Sequence, residues 1–485
     1  MGKKVMCAIP LLLLAIAGPA RAQSIETLVH QPPDGCIFGF LLTDGTVMVQ
    51  GGGESDWWKL TPDNTGSYRN GTWTQLASLP AGYVPYASAS AVLADGRLLI
   101  EGGEYNEGVF AFTDKGAIYD PATNTWTSVA PPAEWNFIGD SPSTVLPDGK
   151  FLLGRKFDER MAEFDPATLT WTEVGSAGKS DFNAEEGWTL LSDGSILTVD
   201  VKNNPNSEKY IPPRGSTKGM WYTAGNTVQD LQGPPEVGRI TYGDGQVYYP
   251  PGEVGPAILR PDGTVFATGA THQGARAGHT AVYQPALNST GPGTWTAGPD
   301  FPNNDQAADS FAVLLPSGNV LVEGNSGTSY EFDGTTFTPG PYTPGSLLTL
   351  PTGEVLVGGG PTELYIPTGT YSPSWAPSIT SFPATVVRGS TYEIHGRQFN
   401  GLSQAAAFGD EFQSSTNYPL VRITNQGTGH VFYAKTHDHS TMGVATGDAI
   451  VSTNFDVPAG METGASSLEV VANGIPSTAA SITVN

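Results

Sequence analysis

Cysteine is nearly absent from this chain: there are two in 485 residues, Cys7 and Cys36. A fold stapled by several disulfides is therefore excluded. Basic residues are scarce as well, with 23 Lys and Arg against 47 Asp and Glu and a formal net charge of −24. So acidic a chain is repelled by phosphate backbones and by anionic membranes. Nucleic acid is excluded as a partner, and solubility outside the cell is the plain reading of the charge. Long apolar runs are missing after the first 22 residues, so no membrane span is expected. Glycine and proline, by contrast, are plentiful at 61 and 39, which suits many short strands joined by tight turns.

The one apolar run lies at the start. Lys3 and Lys4 precede "VMCAIPLLLLAIAG", and the stretch ends at Ala20-Arg21-Ala22. This reads as a secretory signal peptide over residues 1–22, cleaved near Ala22. A secreted or periplasmic monomer is expected. Cleavage removes Cys7 and leaves Cys36 alone, so no internal disulfide can form and burial must hold the fold.

A repeat runs through most of the remainder. "LLTDGTVMVQGGG" returns as "VLADGRLLIEGGE", "VLPDGKFLLG", "LLSDGSILTVD" and "LRPDGTVFATGA", with weaker copies "LLPSGNVLVEG" and "TLPTGEVLVGGG". Each copy is an apolar run, a turn on Asp-Gly or a relative, and a second apolar run. A third run ends in an aromatic-x-Pro pattern such as "IYDPATNTW", and tryptophans open a fourth: Trp73, Trp126, Trp171, Trp221 and Trp295. Four antiparallel strands at this period make one propeller blade. Small residues recur before the turns ("SASAV", "SPSTV", "GPAIL"), as crowding around a shared axis requires. The expected fold is all-β: a seven-bladed propeller over residues 23–375, then a β-sandwich over 376–485. The seventh unit lacks a fourth strand, and Ser24–His30 is expected to supply it. The Asp-Gly turns should share one face, opposite the loops that lead into the inner strands. Beyond Trp375 the period is lost and short strands alternate with turns, the pattern of an immunoglobulin-like sandwich.

The repeated "DGxVxxxGG" and "YDPxTxTW" patterns, with "VANGIPSTAASITV" and Thr436-His437 near the end, resemble the galactose oxidase family. They also resemble exported bacterial kelch-repeat proteins. The resemblance implies a kelch propeller plus sandwich, with a sandwich loop entering the axial hole. In that family the loop carries a copper-binding histidine, matched here by His437. Cys36 stands at the phase of a cysteine that is cross-linked to tyrosine. Ala308 and Asp309 stand where a Tyr-His pair belongs, and Ala87 where the second tyrosine belongs, with Tyr86 beside it. Copper-radical chemistry needs that tyrosine and imidazoles around the metal, and an Ala-Asp pair supplies neither. The resemblance therefore leaves Tyr86, Asp309, His437 and Cys36 as catalytic candidates. His437, His439 and Asp309 are the candidate metal ligands, for copper or calcium. The expectation at "THDHS" is a loop inside the axial hole, with His437 near Asp309, Tyr86 and Cys36.

The loops of the inner-strand face carry Asp34, Glu104, Asp140, Asp181, Glu185, Glu186, Glu253, Asp305 and Asp309. Trp57, Trp58, Tyr83, Tyr86, Tyr105, Trp135, Trp188, Tyr248, Tyr249 and His272 belong to the same set. Carboxylates accept from sugar hydroxyls, and aromatic faces stack on pyranose rings. The substrate-binding expectation names Trp135, Trp188, Tyr86, Tyr105, Glu104, Asp140, Glu185, Glu186 and His272. The leading reading is a protein that binds carbohydrate or a cell-surface polymer on this face. The alternatives are a copper-dependent oxidase with altered ligands, and a glycan hydrolase or lyase that uses paired carboxylates.

Overall fold

The computed structural model describes residues 23–53, 55–213, 218–233, 240–241, 247–248, 252–271 and 277–485. The expected signal peptide and His272 lie outside the described residues. So do Tyr249 and the side chain of Tyr248. Among the described residues no helix is long and apolar enough to cross a membrane.

Seven antiparallel sheets succeed one another along the chain. The first is built from Gly39–Leu41, Val47–Gln50, Trp57–Thr61 and Thr72–Gln75, paired in that order. The Asp-Gly turns explain why each sheet starts as a tight hairpin. The turn glycines Gly45, Gly96, Gly149, Gly194 and Gly263 all have φ between +74° and +87°, which a side chain would resist. The aspartate before each one accepts the N–H that follows, as Asp44 does from Thr46 at 3.0 Å. The aromatic-x-Pro and tryptophan patterns also find their reason. Tyr119 faces Trp126 at 5.1 Å, Phe164 faces Trp171 at 5.0 Å, and Tyr283 faces Trp295 at 4.9 Å across the third and fourth strands. The indole N–H then reaches back to the preceding sheet: Trp126 donates to Ala77 and Trp171 to Ala130. Trp126 and Trp171 thus each pack one sheet and tie it to its neighbour.

The seventh sheet takes its outermost strand from the start of the chain. Ser24–Thr27 lies antiparallel to Glu363–Ile366, with Ser24 opposite Ile366 and Thr27 opposite Glu363. Gln31 adds a clasp, accepting from the Thr362 N–H and donating to its carbonyl. The strand is shorter than the expected Ser24–His30.

From Ser378 onward the strands form two layers around Ile394, Phe399, Val421, Phe455 and Leu468. Val431–His437 belongs to both layers: its first half pairs with Leu420–Asn425 and its second with Val451–Asp456. Between Arg397 and Leu420 the chain leaves these layers and fills the middle of the seven sheets. Ala406–Ala407 extends the sixth sheet beside Ala312–Leu314. Phe412 stacks on Phe38 at 4.2 Å, Gln404 bonds Thr144 and the Leu190 N–H, and Tyr418 donates to the Leu41 carbonyl. This plug therefore touches the first, third, fourth and sixth sheets.

Candidate functional site: an acidic axial cavity

Each innermost strand begins with a residue that faces one cavity of ≈ 430 Å³. Phe38, Ala87, Asp140, Glu185, Glu253, Asp309 and Gly345 stand just before the first strands of the seven sheets in turn. Seven strand starts can line one hollow only if the strands surround it. The Asp-Gly turns lie at the other ends of the same strands, as the repeat implies. Glu104, Lys156 and Glu323 come from the ends of second strands, and Phe408, Asp410 and Glu411 from the plug. Among the described residues the lining holds eight carboxyl groups and a single ammonium, that of Lys156.

Lys156 is 1 % exposed. Its Nζ bonds Asp140 and Glu185 and lies 5.6 Å and 5.3 Å from the Phe112 and Phe157 rings. Burial alone would lower the ammonium, but Asp140 and Glu185 outweigh it and hold Lys156 well above its usual value. Burial pushes Glu253 and Glu411 well upward, with like charges adding to the effect, and pushes Glu323 up to about 7. So many carboxyls in one small space cannot all ionise, and the cavity holds protons that a cation or a hydroxyl-bearing ligand would displace or share.

Aromatic rings form the other part of the wall. Tyr86 is 38 % exposed, stacks on Phe38 at 5.6 Å and meets Tyr105 edge-on at 6.1 Å. Phe110, also exposed, extends the row beside Tyr105. Four lining residues, Ala87, Phe112, Phe157 and Glu185, have left-handed backbones with φ of +53°, +41°, +71° and +54°. Such strain gathers where a site must be held in shape.

The structure therefore brings together Tyr86, Tyr105, Glu104, Asp140, Glu185 and Asp309 from the sequence expectation. It does not bring the others. Trp135 and Trp188 are 3 % and 2 % exposed and belong to the apolar core between sheets, so neither offers a face to a sugar. Glu186 points away from its neighbour Glu185 and is buried on Lys179 Nζ at 3.0 Å and the Trp188 indole at 3.1 Å.

The "THDHS" loop is not in the cavity. It runs along the turn face, where Thr436 and His439 donate their N–H groups to the carbonyls of Thr43 and Ala94, beside the Asp-Gly turns. His437 bonds Asp438 at 2.7 Å and Asp456 at 3.3 Å, within the C-terminal strand layers. His439 is buried on Thr453, and burial pushes it down to about 3, so it is neutral. Asp309 lies at the opposite end of the inner strands, so the expected trio His437, His439 and Asp309 is not assembled. The segment that does enter is "AAAFGDEF", which replaces the expected histidine with Asp410 and Glu411. Cys36 lies beside Ser346, ahead of the seventh sheet's first strand, buried and outside the cavity lining, and burial pushes its thiol up to about 12. A thiol reagent should therefore label Cys36 only when the chain is unfolded, as read by intact mass. Rapid labelling of the native protein would contradict this placement.

These donors do not fit a copper-radical centre. The cavity lining offers Tyr86, Tyr105 and carboxylates, with no imidazole and no thiol among the described residues. A second hollow of ≈ 300 Å³ lies on the turn face between Pro147, Asp193 and Thr441, and its Lys150 and Glu163 already pair at 3.1 Å.

No protein-family model matches the chain. A kelch-like protein terF of Aspergillus terreus is 35 % identical over 86 residues, which is 17 % of this chain and 18 % of that protein. The chain thus spans less than a fifth of this curated relative's length. Among solved structures, a fungal alcohol oxidase of the AA5 family in complex with copper is similar over 96 % of this chain and 99 % of its own. The TM-score is 0.51 and the identity 14 %. Virginiamycin B lyase of Staphylococcus aureus is similar over 71 % of this chain and 99 % of its own, with a TM-score of 0.43 and 11 % identity. The terF segment and the alcohol oxidase support a kelch-type propeller and carry the fold alone.

Proposed function

We propose that this chain is an exported kelch-repeat protein whose axial cavity binds carbohydrate. In this reading the seven sheets are the blades of one ring over residues 23–375. The sandwich over 376–485 is immunoglobulin-like, and its plug floors the cavity. The protein acts as a monomer in the periplasm or outside the cell, on a free saccharide or the end of a cell-surface polymer. The observation that carries it is the row of exposed Tyr86 and half-buried Tyr105 set against carboxylates at the mouths of the inner strands. Flat rings suit the apolar face of a pyranose, and carboxylates accept its hydroxyls. The same carboxylates select among sugars. Uronates, sulfated glycans and phosphate-linked polymers would meet like charge, whereas neutral and amino sugars would not.

A glycan panel tests this. Neutral or amino-sugar glycans should bind, and Tyr86→Ala should weaken them about tenfold. Because Tyr86 is partly exposed, its loss should change stability by no more than about 1 kcal/mol. A panel with no binder, or a preference for anionic glycans, would contradict the reading. Peroxide released from galactose by the copper-loaded protein would instead favour an oxidase.

Glycan cleavage is the second reading, favoured by one observation. Glu323, pushed up to about 7 by burial, is a carboxyl that can donate a proton at neutral pH, and it lines the cavity with Asp309. New reducing ends from a bound oligosaccharide, abolished in Glu323→Gln, would support it.

A further inference from the structure

We propose that Asp140, Glu185 and Asp410 hold a hard divalent cation of the calcium class in the axial cavity. Their acceptor oxygens all lie within 4.8 Å of one another. Calcium binds oxygen at about 2.3–2.6 Å, so one ion can span such a set. Two independent features point to a ligand there. Asp140 Oδ1 and Asp410 Oδ1 are buried and make no hydrogen bond, on side chains whose residues are 5 % and 2 % exposed. A buried carboxylate oxygen without a partner is costly, and native folds rarely leave one so. Lys156 does not answer this need, because its ammonium bonds the other oxygen of Asp140.

The chemistry of the donors sets the class of ion. All three are carboxylates, and no imidazole or thiol lines the cavity among the described residues, so softer metals lack their preferred ligands. Magnesium demands a near-ideal octahedron, whereas calcium accepts an irregular set. A second acidic cluster, Asp181, Glu186 and Asp200, gives a contrast. Asp181 accepts two backbone N–H groups, Glu186 accepts from Lys179 and Trp188, and Asp200 Oδ2 accepts from Ser180 and Asn206. Only Asp200 Oδ1 is left buried without a partner, against two such oxygens in the cavity set.

The ion would join three separate parts of the chain: the starts of the third and fourth sheets, and the plug from the terminal domain. It would thereby fix the plug in the ring and place a positive charge under whatever enters the cavity. The proposal does not depend on the saccharide reading, and calcium alone is the probe.

The full mature chain is stripped with chelator and titrated calorimetrically with calcium chloride. One ion per chain is expected, with a higher melting temperature in calcium. Asp410→Asn should weaken binding about tenfold or more. Glu185→Gln provides a second variant should Asp410→Asn fail to fold, with the same weakening expected. Asp300→Asn, at an exposed pair with His279, should bind as the wild type does. No heat and no thermal shift in the wild type would overturn the proposal. So would unchanged affinity in folded Asp410→Asn or Glu185→Gln. A null result with calcium leaves the glycan panel to be judged on its own.

Discussion

Replacing Lys156 by Met should destabilise the protein by about 3–5 kcal/mol at neutral pH, because it removes one partner of a buried ion pair. The ammonium is the single positive charge lining a cavity of eight carboxyls, and Asp140 and Glu185 would be left facing each other in low dielectric. The pH dependence gives the sign. Lys156 is held above its unfolded value, so it stays charged in both states across pH 5–8 and its own titration contributes no slope there. Asp140 is pushed upward by burial, and without Lys156 it would rise further. A carboxyl with a raised folded value contributes stability at low pH that is lost as pH climbs through that value. The loss in Lys156→Met should therefore be smaller at pH 5 than at pH 8. Urea melts at the two pH values measure it. A loss below about 1 kcal/mol at both would mean that Lys156 is not the buried counter-ion.

Deleting Ser24–Thr27 should lower stability by about 4 kcal/mol, at about 1 kcal/mol for each ladder hydrogen bond removed. The cost falls at the outer edge of the seventh sheet. Glu363–Ile366 would lose its outer partner along four residues and become an exposed edge. Unpaired edges recruit other chains, so the truncated protein should also aggregate on heating. Thermal melts with light scattering would report both effects. An unchanged melting curve would mean that the seventh sheet is held without the closing strand.

The sequence carries the fold at two places, the Asp-Gly turns and the aromatic-Trp pairs, because both are local and recur in phase. Tyr119 and Trp126 are seven residues apart, and their pairing needs only one hairpin. The closing strand was legible as well, because the seventh repeat lacked a piece and Ser24–Thr27 had nowhere else to go. The cavity residues at the mouths of the inner strands followed from the same register. Phase alone did not separate Glu185 from Glu186, since one faces the axis and the other Lys179.

What the sequence concealed depends on contacts between distant segments. Lys156, in "GRKFDER", reads as a surface lysine, and only the fold shows that Asp140 and Glu185 close over it. The histidine pair drew attention to "THDHS", but that loop satisfies its N–H groups on the turn face. The plug had a fainter signal. "AAAFGDEF" opens on three alanines and sets Asp410 and Glu411 between Phe408 and Phe412, two acids inside an otherwise small and apolar stretch. Its small residues let it lie against Ala312–Leu314, and its phenylalanines fill the hollow between Phe38, Phe40 and Phe311. Trp135 and Trp188 misled for a related reason: tryptophan beside a strand end serves packing as readily as binding, and burial decides between the two.

The central claim is that the ligand site is the axial cavity floored by the plug. Hydrogen exchange with and without the tightest neutral oligosaccharide of the panel tests it most directly. The account predicts added protection at residues 405–413 and 308–311, with none at 436–441. Protection confined to the "THDHS" loop and the Asp-Gly turns would contradict it.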